Sequence, residues 1–358
     1  MRTKSNIRLH ELIPTTTNQD VLFEHAEECG KFMIVSSGAM WNSNGGSQRP
    51  QQIAEGFCVD HSVLHLNFVN SSHIVRKNLA TGNKSNIASW IQNVPSGVKK
   101  IFYSAIPYED DSAIIKRLGS DWTVVYDCVD DWGGFTSASE WYRPKYEEDI
   151  IKRADLITTT GRTMISRLLD VKGKKDDVNI RWLPNSCKLT PDMVHWKPER
   201  KIDLVFIGYL LDEWVDFKLM EKLSQKFSIR IIGEKPKVLP FKNERTEWIG
   251  KVPVEQIMDY LTECKVGLVP FVNTRLTYAV DPIKYYDYLA AGVPTVASFM
   301  PELDMRPFAH VCYSHESFIH KVEEILKNTI PHKRILRELE GNTYLDRVAS
   351  LRGFIDEI

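Results

Sequence analysis

One short stretch of the chain places a lysine in the first turn of a predicted helix. Asp281 is a suitable N-cap, and Pro282 fits the first helical position because its missing N–H would have had no partner there. Gly292 fits the residue just past the helix end. Lys284 therefore adds a cation where the helix dipole is already positive, which is favourable only beside an anion. The pattern is typical of a phosphate site.

Asp287 follows Lys284 by three residues and so stands beside it on the same helix face. A carboxylate one turn behind a phosphate site can accept hydrogen bonds from ribose hydroxyls. The solvated face of an ordinary amphipathic helix would carry a lysine and an aspartate equally well. These residues alone leave both interpretations open.

Two arginines are candidates for further contacts with phosphate. Arg275, in the loop predicted before the helix, could add a second cation, although such a residue is more often a surface arginine. Arg49 follows Gly45 and Gly46 and could reach phosphates or sugar from the other half of the chain. A salt bridge to a local carboxylate is the alternative for Arg49, and the sequence does not separate the two.

Two aspartates follow a predicted buried strand over residues 123–129. Asp130 or Asp131 could act as a general base if its pKa suited the working pH, whereas bracing a loop is the ordinary role at such a position. Asp127, inside the strand, is expected to brace the loop through backbone hydrogen bonds. Acidic, cysteine and histidine residues show no spacing typical of metal ligands, so no metal site is predicted.

Apolar runs alternate with helical patterns along the chain, which is typical of a doubly wound α/β fold with parallel sheets. The alternation stops within residues 187–201 and then restarts. We therefore predict two Rossmann-like domains, at residues 1–190 and 191–342. Gly45 and Gly46 come after the first strand of one domain and Gly208 after that of the other, so they would face each other across a cleft.

The composition is that of a globular protein without a global charge signature. The 358 residues are 43% hydrophobic and 26% charged, with a net charge of −1, which argues against nucleic acid as a partner without excluding a local basic cleft. Six cysteines without paired spacing suit a reducing cytoplasm. No signal peptide or membrane-spanning stretch is predicted, which leaves room for a peripheral membrane contact.

Several motifs resemble those of bacterial glycosyltransferases with the GT-B fold. Residues 281–295 are similar to the segment Pro-x-Lys-x-x-Glu-Tyr-Leu-Ala-Ala-Gly-x-Pro-Val-Val, and residues 126–132 resemble the strand-end element Tyr-Asp-x-x-Asp. Over about residues 31–350 the chain looks most like teichuronic-acid and exopolysaccharide transferases near the retaining family 4. The tail, residues 343–358, resembles the closing helix that crosses back to the first domain in such enzymes.

The resemblance implies a nucleotide-diphosphate sugar as donor, such as a UDP, GDP or dTDP sugar, with no further cofactor. It places the diphosphate at Lys284 and the ribose at Asp287, and it favours Asp130 over Asp131 as the base because Asp130 matches the family element. The remaining residues expected to line the donor are Gly208, Tyr209, Gly233, Val252 and Pro282.

The chain departs from the family pattern at two positions. The ribose residue is usually glutamate, one methylene longer than Asp287. Many family-4 enzymes also carry a glutamate eight residues earlier, which serves the donor sugar, and this chain has Ala279 there. Retention and inversion at the sugar carbon therefore both stay open.

The sequence thus predicts a cytoplasmic, metal-independent glycosyltransferase that moves a sugar from a nucleotide-diphosphate donor to a hydroxyl acceptor in surface polysaccharide or glycan synthesis. One alternative is a nucleotide-sugar 2-epimerase, which needs no acceptor. A second is a non-catalytic subunit that binds the nucleotide sugar. A third is a transferase for another acceptor, such as modified nucleic acid.

Overall fold

The computed structural model describes residues 18–38, 48–67, 73–173, 178–187, 199–234, 241, 243–328 and 330–358. These residues form two sheets, one of eight strands and one of six, with helices between most successive strands. Neighbouring strands are parallel in both sheets except for the pair formed by the third and fourth strands. The doubly wound α/β architecture predicted from the alternation is confirmed.

The first sheet has the strand order β3-β4-β2-β1-β5-β6-β7-β8. Its strands are β1 (Lys31–Ser36), β2 (Ser62–Asn67), β3 (His73–Arg76), β4 (Leu79–Asn83), β5 (Lys99–Ser104), β6 (Trp122–Cys128), β7 (Leu156–Thr159) and β8 (Ile180–Trp182). The helices of this half are α1 (Asn18–Cys29), α2 (Arg49–Phe57), α3 (Ile87–Asn93), α4 (Glu109–Ile115), α5 (Pro144–Arg153) and α6 (Ile165–Lys172).

The second sheet has the order β11-β10-β9-β12-β13-β14. Its strands are β9 (Ile202–Ile207), β10 (Ile229–Ile232), β11 (Thr246–Gly250), β12 (Cys264–Val269), β13 (Thr295–Ser298) and β14 (Ala309–Cys312). The helices of this half are α7 (Phe217–Lys226), α8 (Val254–Leu261), α9 (Arg275–Ala279), α10 (Ile283–Ala290), α11 (Pro301–Asp304), α12 (His315–Lys327), α13 (His332–Leu336) and α14 (Tyr344–Asp356).

The chain order reverses once in each sheet, between β1 and β5 and between β9 and β12. Helices leave in opposite directions at such a point, so a crevice opens outside the carboxyl ends of the two strands. The central strands carry apolar runs with both faces covered, and Leu204, Val205 and Phe206 in β9 are fully buried. The fold therefore places one crevice at the carboxyl edge of each sheet.

The last helix, α14, packs on the first half of the molecule. Val348 of α14 belongs to the same buried cluster as Met33 and Val35 of β1. A Cβ atom on Gly56 would collide with Val348, so glycine in α2 allows the close approach. Arg352 forms an ion pair with Asp60 at 2.6 Å. The limits of the two domains and the tail stay predictions, since the sheets alone do not fix them.

Five elements were not predicted from the sequence: β3, β4, α3, α9 and α11. The helix α9 corrects the expectation that Arg275 lies in a loop, because Arg275 is its first residue. The side chain of Thr274 caps this helix by accepting a hydrogen bond from the N–H of Thr277, and the Thr277 side chain bonds back to the N–H of Thr274. This reciprocal capping box is a readable helix-start signal.

A buried ion pair joins α2 to the end of β6. Arg49 donates to the two carboxylate oxygens of Asp127 at 2.6 and 3.0 Å, and the carboxylate also accepts from Thr158 at 2.6 Å and from Tyr103. Burial is the main cause that raises the pKa of the Tyr103 hydroxyl far above its usual value. Asp127 therefore braces this region, but through side-chain donors from three other elements, which corrects the expectation of backbone hydrogen bonds.

We predict that Asp127→Ala lowers the free energy of unfolding by about 3–5 kcal/mol, because it leaves the buried guanidinium of Arg49 without its counter-charge. Lys77→Ala is the control, since Lys77 pairs with Glu28 at the surface, where an ion pair contributes about 0–1 kcal/mol. Urea denaturation of both variants measures the difference. Equal losses would contradict the assignment of Asp127 as a structural hub.

Candidate functional site

Lys284 lies at the carboxyl ends of the two strands that flank the reversal point of the second sheet. Its Nζ atom lies 5.1 Å from the ring centre of Phe206, in β9, and 4.4 Å from that of Phe271, just after β12. A Cβ atom built on Gly208 would be 3.4 Å from the same Nζ. The predicted phosphate-binding lysine thus reaches the crevice in which open α/β sheets bind ligands.

The charge of Lys284 has little compensation from the protein. Burial lowers the pKa of its ammonium group to about 8, and only the nearby carboxylate of Asp287 acts in the opposite direction. A partly desolvated cation of this kind is stabilised by an anionic ligand.

Two glycines shape the floor beside Lys284. Gly208 directly follows β9 with φ +129° and Gly233 directly follows β10 with φ +154°, both in a region that favours glycine. A side chain on Gly233 would collide with the carbonyl of Gly208. The structure therefore brings together Lys284, Gly208 and Gly233 as the sequence predicted, and it leaves the strand ends open to a ligand.

Two further residues expected to line the donor, Tyr209 and Val252, lie near these glycines. Tyr209 is 54% exposed, and the Nζ atom of Lys251 lies 5.8 Å from its ring centre. Lys251 also pairs with Glu234 at 2.9 Å, and Val252 is half-buried against the core of the second half. An exposed ring beside an aliphatic side chain and a pair of charges can hold a planar heterocycle.

The start of α10 differs from the sequence prediction. The helix begins at Ile283 with Pro282 as its N-cap, so Pro282 is one residue before the first helical position, and the side chain of Asp281 caps nothing. Asp281 instead accepts hydrogen bonds from the N–H of Asn185 at 2.7 Å and from the Tyr286 hydroxyl at 2.8 Å. The N-cap assignment of Asp281 is therefore wrong, because a partner 96 residues away in sequence binds the carboxylate.

Asp130 follows β6 at the carboxyl edge of the first sheet. Burial, with the charge of Asp131 as a second cause, raises the pKa of its carboxyl to about 7. The described residues donate no hydrogen bond to this carboxylate that would hold it ionised. A carboxylate with a pKa near neutrality and no local partner has the properties of a general base.

Asp131 is engaged by the second half of the molecule. Arg275 of α9 donates to its two carboxylate oxygens at 2.6 and 2.9 Å, and Arg167 lies 4.0 Å away. Gly133 and Gly134 permit this approach, because side chains there would press against Arg275 and the backbone of Leu276. Arg275 is therefore a bridge between the two sheets and does not contribute a second free cation at the phosphates.

Arg49 and the glycines before it add no support to the predicted donor site. Arg49 is buried, and besides Asp127 it donates to the carbonyls of Leu183 and Pro184 at 2.9 and 3.0 Å. The alternative of a local salt bridge is therefore the one observed, and we remove Arg49 from the donor site. Gly45 and Gly46 lie outside the described residues.

Position 279 is closed by the contact between the two halves. Ala279 is buried in the core cluster of the first half, and a Cβ atom on Gly161 would be 2.5 Å from its carbonyl oxygen.

Nearby, buried Glu302 accepts a hydrogen bond from the N–H of Thr163 at 3.1 Å, and burial raises the pKa of its carboxyl. Sequence reasoning missed Glu302, whose partners are remote along the chain.

The arrangement has the GT-B architecture: two Rossmann-like units whose carboxyl strand edges contact each other. Solved structures with the same fold include sucrose-phosphate synthase from Thermosynechococcus elongatus, with 12% identity and a TM-score of 0.65 over 90% of this chain and 94% of that one. Another is the Anabaena protein HepE in complex with UDP and glucose, with 9% identity and a TM-score of 0.64 over 91% and 99%. The predicted resemblance to GT-B glycosyltransferases is confirmed.

A sequence relative points in the same direction. The chain is 25% identical over 205 residues to TuaH of Bacillus subtilis strain 168, which is described as a teichuronic acid biosynthesis glycosyltransferase. The match covers 50% of this chain and 51% of the relative, so the chain spans about half the length of the curated protein it matches. No protein-family model matches the chain.

No helix within the described ranges is long and apolar enough to cross a membrane. In the same part of the chain, no group of three or more His, Cys, Asp or Glu side chains is arranged to hold a metal ion.

UDP, GDP and dTDP are first compared, and the one that binds best is used. We predict that Lys284→Ala weakens its binding by about 10- to 100-fold, because the variant loses one charge-assisted hydrogen bond. In the unaltered protein, affinity should decline as the pH rises through about 8 and fall more steeply above it. The reason is that free Lys284 loses its proton above pH 8, whereas the diphosphate selects the protonated form. Isothermal titration calorimetry measures both effects.

Lys218→Ala serves as the matched control, because Lys218 is an exposed lysine on α7 of the same half. It should bind the nucleotide as the unaltered protein does. Equal affinities for Lys284→Ala and Lys218→Ala would contradict the placement of the diphosphate at α10.

Proposed function

We propose that the protein is a glycosyltransferase that transfers a sugar from a nucleotide-diphosphate donor to a hydroxyl acceptor. The observation that supports this most directly is the cation of Lys284 at the reversal point of the second sheet, opposite an edge of the first sheet that carries Asp130. One edge thus offers an anion site and the other a base. A transfer that expels a diphosphate and activates a hydroxyl needs both.

The donor would lie along the second sheet. Lys284 and the first N–H groups of α10, after Pro282, would contact the diphosphate, and Asp287 would accept from the ribose hydroxyls. Gly208 and Gly233 would allow the nucleotide to approach the backbone closely, with the base between Tyr209 and Val252. All of these residues lie at or just after the carboxyl ends of the strands of the second sheet.

The chemistry would follow from these positions. Asp130 takes the proton of the acceptor hydroxyl as its oxygen bonds to the anomeric carbon of the sugar. The bond between that carbon and the diphosphate breaks, and its electron pair stays on the phosphate oxygen. Lys284 and the helix dipole stabilise the new charge, so we propose that the step does not depend on a metal ion. The relatives suggest a setting in surface polysaccharide or glycan synthesis.

We predict that Asp130→Asn lowers kcat by about 10²- to 10⁴-fold, because the amide cannot accept the proton. Nucleotide affinity should not change, since the donor lies on the other sheet. Incubation of the protein with UDP, GDP and dTDP sugars, followed by measurement of released nucleotide, first identifies the donor. Turnover and calorimetry with that donor then test the variant.

Asp121→Asn is the control for Asp130→Asn, because Asp121 precedes the same strand and pairs with Lys100 at the surface. It should keep full turnover. Full turnover of Asp130→Asn would show that the base lies elsewhere. Conversion of the free donor to an epimer without any acceptor, or binding without transfer or hydrolysis, would contradict the proposed reaction itself.

We also predict opposite pH shifts from the two members of the interdomain ion pair. The charges facing Asp130 are Asp131, which raises its pKa, and Arg275 and Arg167, which neutralise Asp131. Asp131→Asn should therefore move the acidic limb of kcat/KM to lower pH and Arg275→Gln to higher pH, each by about one unit. A pH–rate series measures this, and equal limbs in all three proteins would contradict Asp130 as the titrating base.

A further inference from the structure

A continuous row of aromatic rings runs beside the candidate base. It consists of Tyr108, Trp141, Trp132, Phe135 and Trp214, and we call it the aromatic row. Successive ring centres are 4.7, 5.5, 5.6 and 6.5 Å apart. The first four rings belong to loops at the carboxyl edge of the first sheet, and the fifth belongs to the second half. The row therefore bridges the two halves next to Asp130 and Asp131.

The row ends at the proposed donor site. The indole N–H of Trp214 donates to the carbonyl of Tyr209 at 3.1 Å, directly after Gly208. Close to the same end, the N–H of Thr136 donates to Glu213, which fixes the segment after Phe135 to the second half. A molecule lying along the aromatic row would thus reach from the first sheet to the place where the donor sugar is expected.

One polar group in the row, the indole N–H of Trp132, is buried. Trp132 is 8% exposed, and its indole N–H finds no acceptor among the described residues. A buried donor without a partner costs free energy comparable to a lost hydrogen bond, so a ligand oxygen at this point would be stabilising. Tyr108, Phe135, Trp141 and Trp214 are only half-buried, so part of each ring stays accessible.

The mixture of groups selects the chemistry of the ligand. The C–H faces of a pyranose ring pack on aromatic rings, while its hydroxyls can accept from an indole N–H and donate to carboxylates. Asp130, Asp131 and Arg275 stand beside Trp132 and supply such polar partners. A hydrocarbon tail in the same place would leave these charges desolvated without hydrogen bonds.

We propose that the aromatic row is the acceptor subsite and that it binds a carbohydrate ring. This inference rests on the proposed glycosyltransferase function, and it names the class of the acceptor. Trp141 and Phe135 would provide the stacking faces, and the indole N–H of Trp132 would donate to a ring hydroxyl. The acceptor hydroxyl then lies on the side of the row where Asp130 stands.

Saturation-transfer NMR titrations with methyl glycosides of glucose, galactose, N-acetylglucosamine and glucuronic acid test the proposal, with and without the bound nucleoside diphosphate. At least one glycoside should bind the unaltered protein. Trp141→Leu and Phe135→Leu should each weaken that binding about tenfold or more, because they remove a ring face and keep apolar volume. Trp141→Phe and Phe135→Tyr should restore it to within about threefold.

Tyr313→Leu is the control, since Tyr313 is an exposed ring stacked on Phe299 outside the row. It should bind the glycoside normally. Nucleotide affinity is measured for every variant. If the unaltered protein binds no nucleotide, the proposed function is refuted. Three outcomes would overturn the acceptor proposal alone while nucleotide binding stays normal. They are the absence of glycoside binding, the binding of farnesyl phosphate in place of a glycoside, and a loss of glycoside binding in Tyr313→Leu equal to that in the row variants.

Discussion

The structure depends on a buried network of hydrogen bonds that joins the two halves at residues 183–187. Arg49, held by Asp127, donates to the carbonyls of Leu183 and Pro184, and Arg347 of α14 donates to the Pro184 carbonyl at 2.9 Å. The next residue, Asn185, donates its N–H and its side-chain amide to Asp281. Because α10 begins two residues after Asp281, this network fixes the start of α10 relative to the first sheet.

The surroundings of Lys284 and Asp130 shift the pKa values of both side chains. Burial lowers the pKa of Lys284 and raises that of Asp130, so each group is held in surroundings that disfavour its own charge. The ionised forms are the ones that bind phosphate and accept a proton. Each group lowers fold stability when it is ionised, and perturbed pKa values of this kind are typical of functional sites. An anionic ligand beside Lys284 and a hydroxyl group beside Asp130 would each stabilise the charged form of that side chain.

Much of this could be predicted from the sequence because the signals are local. Lys284, Asp287 and Gly292 lie within three turns of one helix, and Gly292 has the positive φ of 58° expected past a helix end. The alternation of apolar runs also predicted the parallel sheets. These features depend on residues that are neighbours along the chain, so spacing is enough to identify them.

The rest could not be predicted because the deciding partners are remote. Asp281 has the residue type and place of an N-cap, yet the N–H of Asn185 and the hydroxyl of Tyr286 bind its carboxylate. Likewise, the sequence left Arg275 as a surface cation or a second phosphate contact, whereas in the structure it pairs with Asp131, 144 residues away in sequence. Side chains with strong hydrogen-bonding capacity have several satisfactory local roles, and tertiary packing chooses among them.

The segment from α9 to the start of α10 explains how the two halves are held in register. Leu276 of α9 packs over Gly134, and the carbonyl of Ala279 presses on Gly161, so both contacts with the first half require glycine. Lys284 follows Ala279 by only five residues. A longer side chain at position 279 would meet the buried core of the first half, and the resulting displacement would be carried directly into α10. The alanine at this position is therefore a consequence of close packing, and it ties the position of Lys284 to the loop that carries Asp130.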